Sequence, residues 1–166
     1  MKNLLLWLVV YLLPSVCLFA QTSIQPKDIA PLIGKWEGSL TYLDYTSQKP
    51  YTMPANIHFE VANDKNKLIC KNIYPDEPKA NSTDTLVLSN DGKQLDKKPI
   101  KSKKVLADGA IEIITEYLGK DGNEQKSALI RLTYTFNDKY FSKRKDIRFV
   151  GQTAWIQRHE YKYKRK

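Results

Sequence analysis

Apolar and polar residues alternate with a period of two along much of the chain that follows residue 33. Large apolar or β-branched residues fill alternate positions most clearly at 36–42, 57–61, 111–117 and 130–136. This period predicts β-strands that bury one face in a core. Apolar runs predict further strands at 68–74, 85–88, 147–150 and 155–163.

Asn, Asp and Gly cluster between these predicted strands at short intervals. The clusters lie at 63–66, 90–92, 108–109, 121–123 and 137–138. Such residues tolerate the left-handed backbone that tight hairpins need. Because the connections are too short for helical crossovers, we expect one domain built as an antiparallel meander of about eight to ten strands.

Two segments depart from the strand pattern. Residues 26–33 are the best helical candidate beyond the N-terminus, and Pro31 limits them to a turn or two. Residues 97–104 are too charged for a central strand, and Pro99 cannot donate a hydrogen bond to a neighbouring strand. We predict an edge strand or a rim loop there.

Residues 1–20 have the organisation of a secretory signal peptide. Lys2 precedes an apolar run at 4–13, and the small residue Ala20 precedes a polar segment. The run is too short to span a bilayer, which takes about 20 apolar residues. We therefore predict cleavage after Ala20, a mature domain over 21–166, and a secreted or periplasmic location. The alternative is a lipoprotein acylated at Cys17.

Composition limits the partners and the chemistry. Cleavage would leave Cys70 without a disulfide partner, and its apolar strand favours a buried, unreactive thiol. The chain has 27 Lys and Arg against 18 Asp and Glu, a net charge of +9. Outside the cytoplasm, an anionic lipid or glycan of the envelope is a more available partner than nucleic acid. We expect a monomer that binds no nucleic acid and needs no cofactor.

The segment Gly34-Lys35-Trp36, preceded by the helical candidate 26–33, resembles the start of lipocalin and calycin barrels. The Ala20-Gln21 junction and the Trp-x-Gly-x-Leu-x-Tyr pattern are also similar to secreted lipocalin-like proteins of Bacteroidetes. The resemblance implies an all-β, up-and-down barrel with a short N-terminal helical turn. It also implies that Trp36 closes one end and that an arginine near the end of the last strand packs across it. Arg158 takes that place in this sequence.

Three residues are candidates for ligand contact. Tyr42 and Tyr45 flank the first predicted hairpin, near the expected barrel mouth, and tyrosine combines an apolar face with a polar tip. Arg131 alternates with Ile130 and Leu132, so it faces solvent if the apolar residues form the core. If the barrel instead holds a polar cavity, Arg131 points inward and could clamp an anion.

No motif for catalysis or metal binding is present. His58 and His159 have no partners at metal-ligand spacing, and we interpret them as surface or structural residues. A haem held by His159 is a remote alternative, as in the nitrobindin branch of the calycins. Glu112 and Glu116 alternate with apolar residues as on a solvated strand face, although paired carboxylates could perform acid–base chemistry.

The sequence therefore favours a secreted barrel that binds a small hydrophobic or amphiphilic molecule. One alternative is an envelope-associated module that binds anionic lipid or glycan through basic strand ends, at 101–104, 142–145 and 162–166. The other alternative is an enzyme on a calycin scaffold.

Overall fold

The computed structural model of the chain describes residues 23–44, 47 and 49–166. The predicted signal peptide, its cleavage site and Tyr45 lie outside the described residues. A short helix, α1 (Pro26–Ile29), runs into a 3₁₀ turn at Ala30–Leu32, as expected for segment 26–33. Among the described residues, no helix has the length and apolar character needed to cross a membrane.

The rest of the described chain is almost entirely β-structure, which confirms the predicted fold class. Ten strands occur in this part of the chain: β1 (Gly34–Leu43), β2 (Pro50–Val61), β3 (Lys67–Ile73), β4 (Ser82–Val87), β5 (Gln94–Leu95), β6 (Lys98–Val105), β7 (Ile111–Asp121), β8 (Lys126–Phe136), β9 (Tyr140–Phe149) and β10 (Ile156–Arg165). A second 3₁₀ turn, Pro78–Ala80, lies between β3 and β4. The segment predicted as an edge strand or loop forms β6, which pairs with β7 along most of its length and with β5 through two residues.

The strands form one antiparallel sheet in the order β4-β3-β2-β1-β10-β9-β8-β7-β6-β5. The first and last long strands, β1 and β10, are direct neighbours, with Trp36 opposite Arg165 and Tyr42 opposite His159. At the two ends of the strand order, an isolated bridge joins Leu88 to Leu95. The sheet therefore curls into a nearly closed barrel.

The buried core extends along β8 from Ala128 to Phe136, and its aromatic residues gather at the end near Trp36. Residues directly opposite each other on paired strands share a face, so the register identifies the inward positions. Phe59, Tyr134, Phe136 and Phe141 point inward and are each at most 3 % exposed. Phe141 makes edge contacts with Phe59 and Phe136 and stacks on Tyr163. This aromatic cluster is the rigid base on which the rest of the interior is built.

Trp36 closes the same end. Its side chain is 1 % exposed, and its indole Nε1 donates a hydrogen bond to the carbonyl of Leu32 at 2.7 Å. The guanidinium of Arg165 lies 3.9 Å from the ring centroid. Arg165 also donates to the carbonyls of Pro31 and Ile33 at 2.6 Å and 2.5 Å. The stack and these hydrogen bonds fasten the helical turn to the last strand.

The prediction that Arg158 packs across Trp36 is wrong. Arg158 precedes His159, which pairs with Tyr42 at the opposite end of β1. Its guanidinium instead donates to Asp121 at 2.6 Å, inside the barrel. A strand of ten residues carries two arginines seven positions apart, and the register selects Arg165 for the closed end.

Candidate functional site

An inner cavity of about 210 Å³ lies above the aromatic base. Six of the side chains that line it are aromatic: Phe59, Tyr74, Tyr134, Phe141, Tyr161 and Tyr163. Burial raises the pKa of Tyr134, Tyr161 and Tyr163, so these phenols stay neutral over the physiological range. The cavity therefore presents flat apolar faces and neutral hydroxyl groups to an occupant.

The cavity reaches the surface through a side opening, defined by Ser82, Asp84, Thr85 and Asp96. Ser82, Asp84 and Thr85 line the cavity and are exposed to solvent. The opening exists because β5, only two residues long, is the sole strand between β4 and β6 in the described sheet. Asp84 accepts hydrogen bonds from Asn72 at 2.7 Å and from Ser82 at 3.0 Å. Carboxylates therefore mark the entrance.

Lys143 points into the cavity from β9. The register places it opposite Tyr134 on β8 and Tyr161 on β10, and its Nζ lies 5.5 Å from the centroid of the Tyr134 ring. Among the residues that the structure describes, it forms neither an ion pair nor a hydrogen bond. Burial lowers the pKa of its ammonium group, partly offset by Asp96. It is the chemically distinctive group of the cavity.

A second depression, the mouth pocket, lies on the other side of Tyr74 and Tyr161. It has a volume of about 410 Å³ and is lined by Leu40, Tyr42, Met53, Tyr74, Glu77, Ala80, His159 and Tyr161. The hydroxyl oxygens of Tyr74 and Tyr161 lie 3.1 Å apart, within hydrogen-bond distance. These two rings separate the mouth pocket from the inner cavity.

His159 faces the interior rather than the surface. It stands opposite Lys145 on β9, and its ring makes an edge contact with Tyr161 at 5.6 Å. Burial lowers the pKa of His159 to about 4, and the nearby ammonium groups of Lys143 and Lys145 act in the same direction. The imidazole is therefore neutral at physiological pH. Among the described residues, no group of three or more His, Cys, Asp or Glu side chains could hold a metal ion.

A charged triad lies at the end of β7. Asp121, 5 % exposed, accepts from Lys145 and from Arg158, each at 2.6 Å. The two cations hold the pKa of this carboxyl below its usual value, against the effect of burial. Asp121 therefore stays ionised and neutralises cations that the apolar interior would otherwise penalise.

The structure separates the predicted ligand residues. Tyr42 lines the mouth pocket and packs against Tyr51 at 5.5 Å, so its contact with a ligand stays a prediction. Arg131 is on the outer face of β8, where it donates to Glu116 at 2.8 Å and stacks on Trp155 at 4.0 Å. The alternative of an interior anion clamp at Arg131 is therefore wrong.

Two of the three basic clusters lie at strand ends as predicted, whereas the cluster at 142–145 lies in the middle of its strand. Residues 101–104 lie within β6, 142–145 within β9 and 162–165 within β10. Because strand residues alternate, Lys143 and Lys145 point inward while Arg144 points outward and pairs with Asp146 at 2.8 Å. Contact with an anionic envelope surface stays a prediction, with fewer exposed cations to support it.

Sequence reasoning missed Lys143 and Lys145, although a signal for them exists. Phe141, Ile147 and Phe149 are apolar residues of one parity, and the two lysines share that parity. A strand running from Phe141 to Phe149 with its apolar face inward must carry both lysines to the same side. The length of the charged run 142–145 hid this alternation.

Comparison with solved structures supports the barrel. The crystal structure of Rv2717c from M. tuberculosis aligns with a TM-score of 0.57 at 14 % identity, over 87 % of this chain and 99 % of that one. A protein of unknown function from the DUF3598 family of Nostoc punctiforme aligns with a TM-score of 0.48 at 14 % identity, over 87 % of this chain and 50 % of that one. Neither a protein-family model nor a curated protein matches the sequence. The alignment with Rv2717c shows a shared fold alone, because the sequence identity is only 14 %.

Proposed function

We propose that this barrel binds one small hydrophobic or amphiphilic molecule in the inner cavity. The observation that carries the proposal is an open, aromatic-lined space of about 210 Å³ that adjoins the close-packed core. Protein interiors are normally close-packed, and an unfilled cavity loses dispersion contacts. A cavity that also opens to solvent is suited to an occupant.

The lining limits the kind of occupant. Tyr134, Phe141, Tyr161 and Tyr163 favour a planar or hydrocarbon body, since such faces gain from desolvation. The polar groups gather at the side opening and at Lys143, so a ligand with one polar end would place that end toward β4 or β9. The volume suits a molecule smaller than a typical drug, because drug-sized ligands fill pockets of about 300–1,000 Å³.

Binding rather than catalysis accounts best for the titratable groups. Glu112 and Glu116, the paired carboxylates of β7, lie on the outer face and form ion pairs with Lys104 and Lys101. We further propose that the protein acts outside the cytoplasm, since the N-terminal sequence has the pattern of a secretory signal. The mass of the protein secreted by its own host tests this, because cleavage after Ala20 predicts a chain that begins at Gln21.

Ligand binding can be tested with a variant whose larger side chain fills part of the inner cavity. Cys70 lines the cavity and Ile69 is its neighbour on the outer face of β3. We expect Cys70→Phe to occupy part of the cavity and Ile69→Phe to leave it open. Native mass spectrometry of host-purified protein, and thermal shifts with octanol, decanoate and dodecylamine, should show one bound molecule in the wild type and in Ile69→Phe only.

Two results would contradict the proposal. One is the absence of any bound molecule or thermal shift in the wild type across this set of probes. The other is equal binding by wild type and Cys70→Phe, provided that near-UV circular dichroism shows the variant to be folded. Equal binding would locate the ligand outside the inner cavity.

A further inference from the structure

Lys143 faces the barrel interior and forms no ion pair with the residues that the structure describes. Lys145, two residues on, pairs with Asp121 at 2.6 Å, and Lys103 pairs with Asp28 at 2.7 Å. The Nζ atom of Lys143 has no ion-pair or hydrogen-bond partner within the described chain, although it lies against the Tyr134 ring. An unpaired amine in an apolar site is costly, so its position calls for a role in the cavity.

Acidic and basic groups surround Lys143 from several elements. Asp96 and Lys98 belong to the hairpin of β5 and β6, Asp84 to β4, and His159 to β10. The thiol of Cys70, whose pKa burial raises to about 11, faces it from β3. Desolvation lowers the pKa of Lys143 by more than Asp84 and Asp96 raise it, which favours the neutral amine. A neutral lysine amine is a nucleophile, whereas an ammonium group is not.

The cavity suits a carbonyl compound better than an anion. Asp84 and Asp96 both line it, so a carboxylate ligand entering by the side opening would pass two like charges. A small aldehyde is neutral, and its hydrocarbon part would contact the aromatic walls formed by Tyr134, Phe141 and Tyr163. Its carbonyl carbon could then approach the unpaired nitrogen without displacing a partner.

We propose that Lys143 captures a small aldehyde in the inner cavity by forming an imine through Nζ. The nitrogen lone pair attacks the carbonyl carbon, and the carbonyl oxygen becomes the hydroxyl of a carbinolamine. That hydroxyl then leaves with the second nitrogen hydrogen as water, while a carbon–nitrogen double bond replaces the carbon–oxygen bond. The hydrogen on that hydroxyl is the first of the two nitrogen hydrogens, which moved to oxygen when the carbinolamine formed. No atom is oxidised or reduced in the sequence. This inference rests on the proposed function, since it assigns the chemical class of the occupant.

Reductive trapping tests the inference. Wild-type protein, Lys143→Arg and Lys143→Met are treated with substoichiometric benzaldehyde and sodium cyanoborohydride at neutral pH, and the benzylated lysines are mapped by peptide mass spectrometry. Lys120 on the surface and the paired Lys145 serve as internal references. We expect Lys143 to be modified faster than either, because a lowered pKa increases the fraction of its amine that is neutral at this pH.

Benzyl alcohol, which cannot form an imine, separates this inference from the proposed function. A thermal shift with benzyl alcohol in wild type and Lys143→Met, together with selective benzylation of Lys143, supports both proposals. The same shift with Lys143 modified no faster than Lys120 overturns imine capture and leaves cavity binding intact. No shift and no selectivity at Lys143 overturns both.

Discussion

The phenol oxygens of Tyr74 and Tyr161 lie 3.1 Å apart across the barrel interior, although 87 positions separate the two residues in the sequence. Both rings border the inner cavity on one side and the mouth pocket on the other. One hydrogen bond therefore joins the loop after β3 to β10 and divides the interior into two compartments.

A double-mutant cycle should reveal this link. Tyr161→Phe and Tyr74→Phe each keep the ring and remove one partner of the hydrogen bond. Each should lower the free energy of unfolding by about 1 kcal/mol, and the double variant should cost little more than either, because the bond is lost only once. Urea denaturation measures all four proteins. Strictly additive losses would show that the two hydroxyls do not interact.

The stack of Arg165 on Trp36 makes a second prediction. Arg165→Met should lower the free energy of unfolding by about 2 kcal/mol, since it removes a cation–π contact and hydrogen bonds to carbonyls of the helical turn. It should also shift the indole N–H resonance of Trp36, which depends on the position of Leu32. Arg158→Met is the matched control, and that resonance should not move in it. A shift of the Trp36 resonance in Arg158→Met and not in Arg165→Met would instead support Arg158 as the residue that packs across Trp36.

The wrong prediction for Arg158 shows what the sequence pattern could not indicate. Alternation in β2, β7 and β8 was readable because their inward positions carry mostly large apolar side chains. The end of β10 reads as a charged tail, and only its pairing with β1 reveals that Arg165 faces Trp36. The lining of the inner cavity is harder to predict from sequence. Lys143, Tyr74 and Asp96 come together through the pairing of distant strands, and the alternation within one strand does not indicate which strands pair. Fold class was therefore predictable, and the composition of the site was not.

Asp121 and Glu116 each contact a lysine and an arginine. Comparing them tests how much burial of the charged partners changes the contribution of a carboxylate to stability. Asp121 joins Lys145 and Arg158 inside the barrel, whereas Glu116 pairs with Lys101, whose side chain is 62 % exposed, on the outer face. Asp121→Asn should cost about 3–5 kcal/mol because it leaves buried cations without a counter-charge. Glu116→Gln should cost under about 1 kcal/mol. Chemical denaturation measures the free energy of unfolding of both variants. Similar losses in the two would contradict the predicted effect of burial.

His159 should make stability depend on pH. Its pKa is about 4 in the folded protein, against 6.5 for an unperturbed histidine, so the unfolded chain binds more protons between those values. Stability therefore falls as the pH drops from about 6.5 to about 4, by up to about 3 kcal/mol. His159→Phe should remove this part of the pH dependence. Titration of the His159 ring by NMR gives the pKa directly, and a midpoint near 6.5 would contradict the prediction.

Gly38, in the segment Trp36-Glu37-Gly38, is required by the closure of the barrel. A Cβ atom there would lie 1.9 Å from the carbonyl oxygen of Lys162 and 2.8 Å from the Cα of Tyr163, both in the backbone of β10. Because backbone atoms of a paired strand cannot rotate away, Gly38→Ala should separate β1 from β10 and cost more than about 3 kcal/mol.

The matched control for this substitution is Ser39→Ala at the next position of the same strand. Its side chain is on the outer face, so the change should stay within about 0.5 kcal/mol of the wild type. Urea denaturation gives both free energies, and the dispersion of the amide resonances reports whether the sheet is intact. A Gly38→Ala variant as stable as Ser39→Ala would mean that β1 and β10 do not pair in this register, and the stack of Arg165 on Trp36 would then lose its geometric basis.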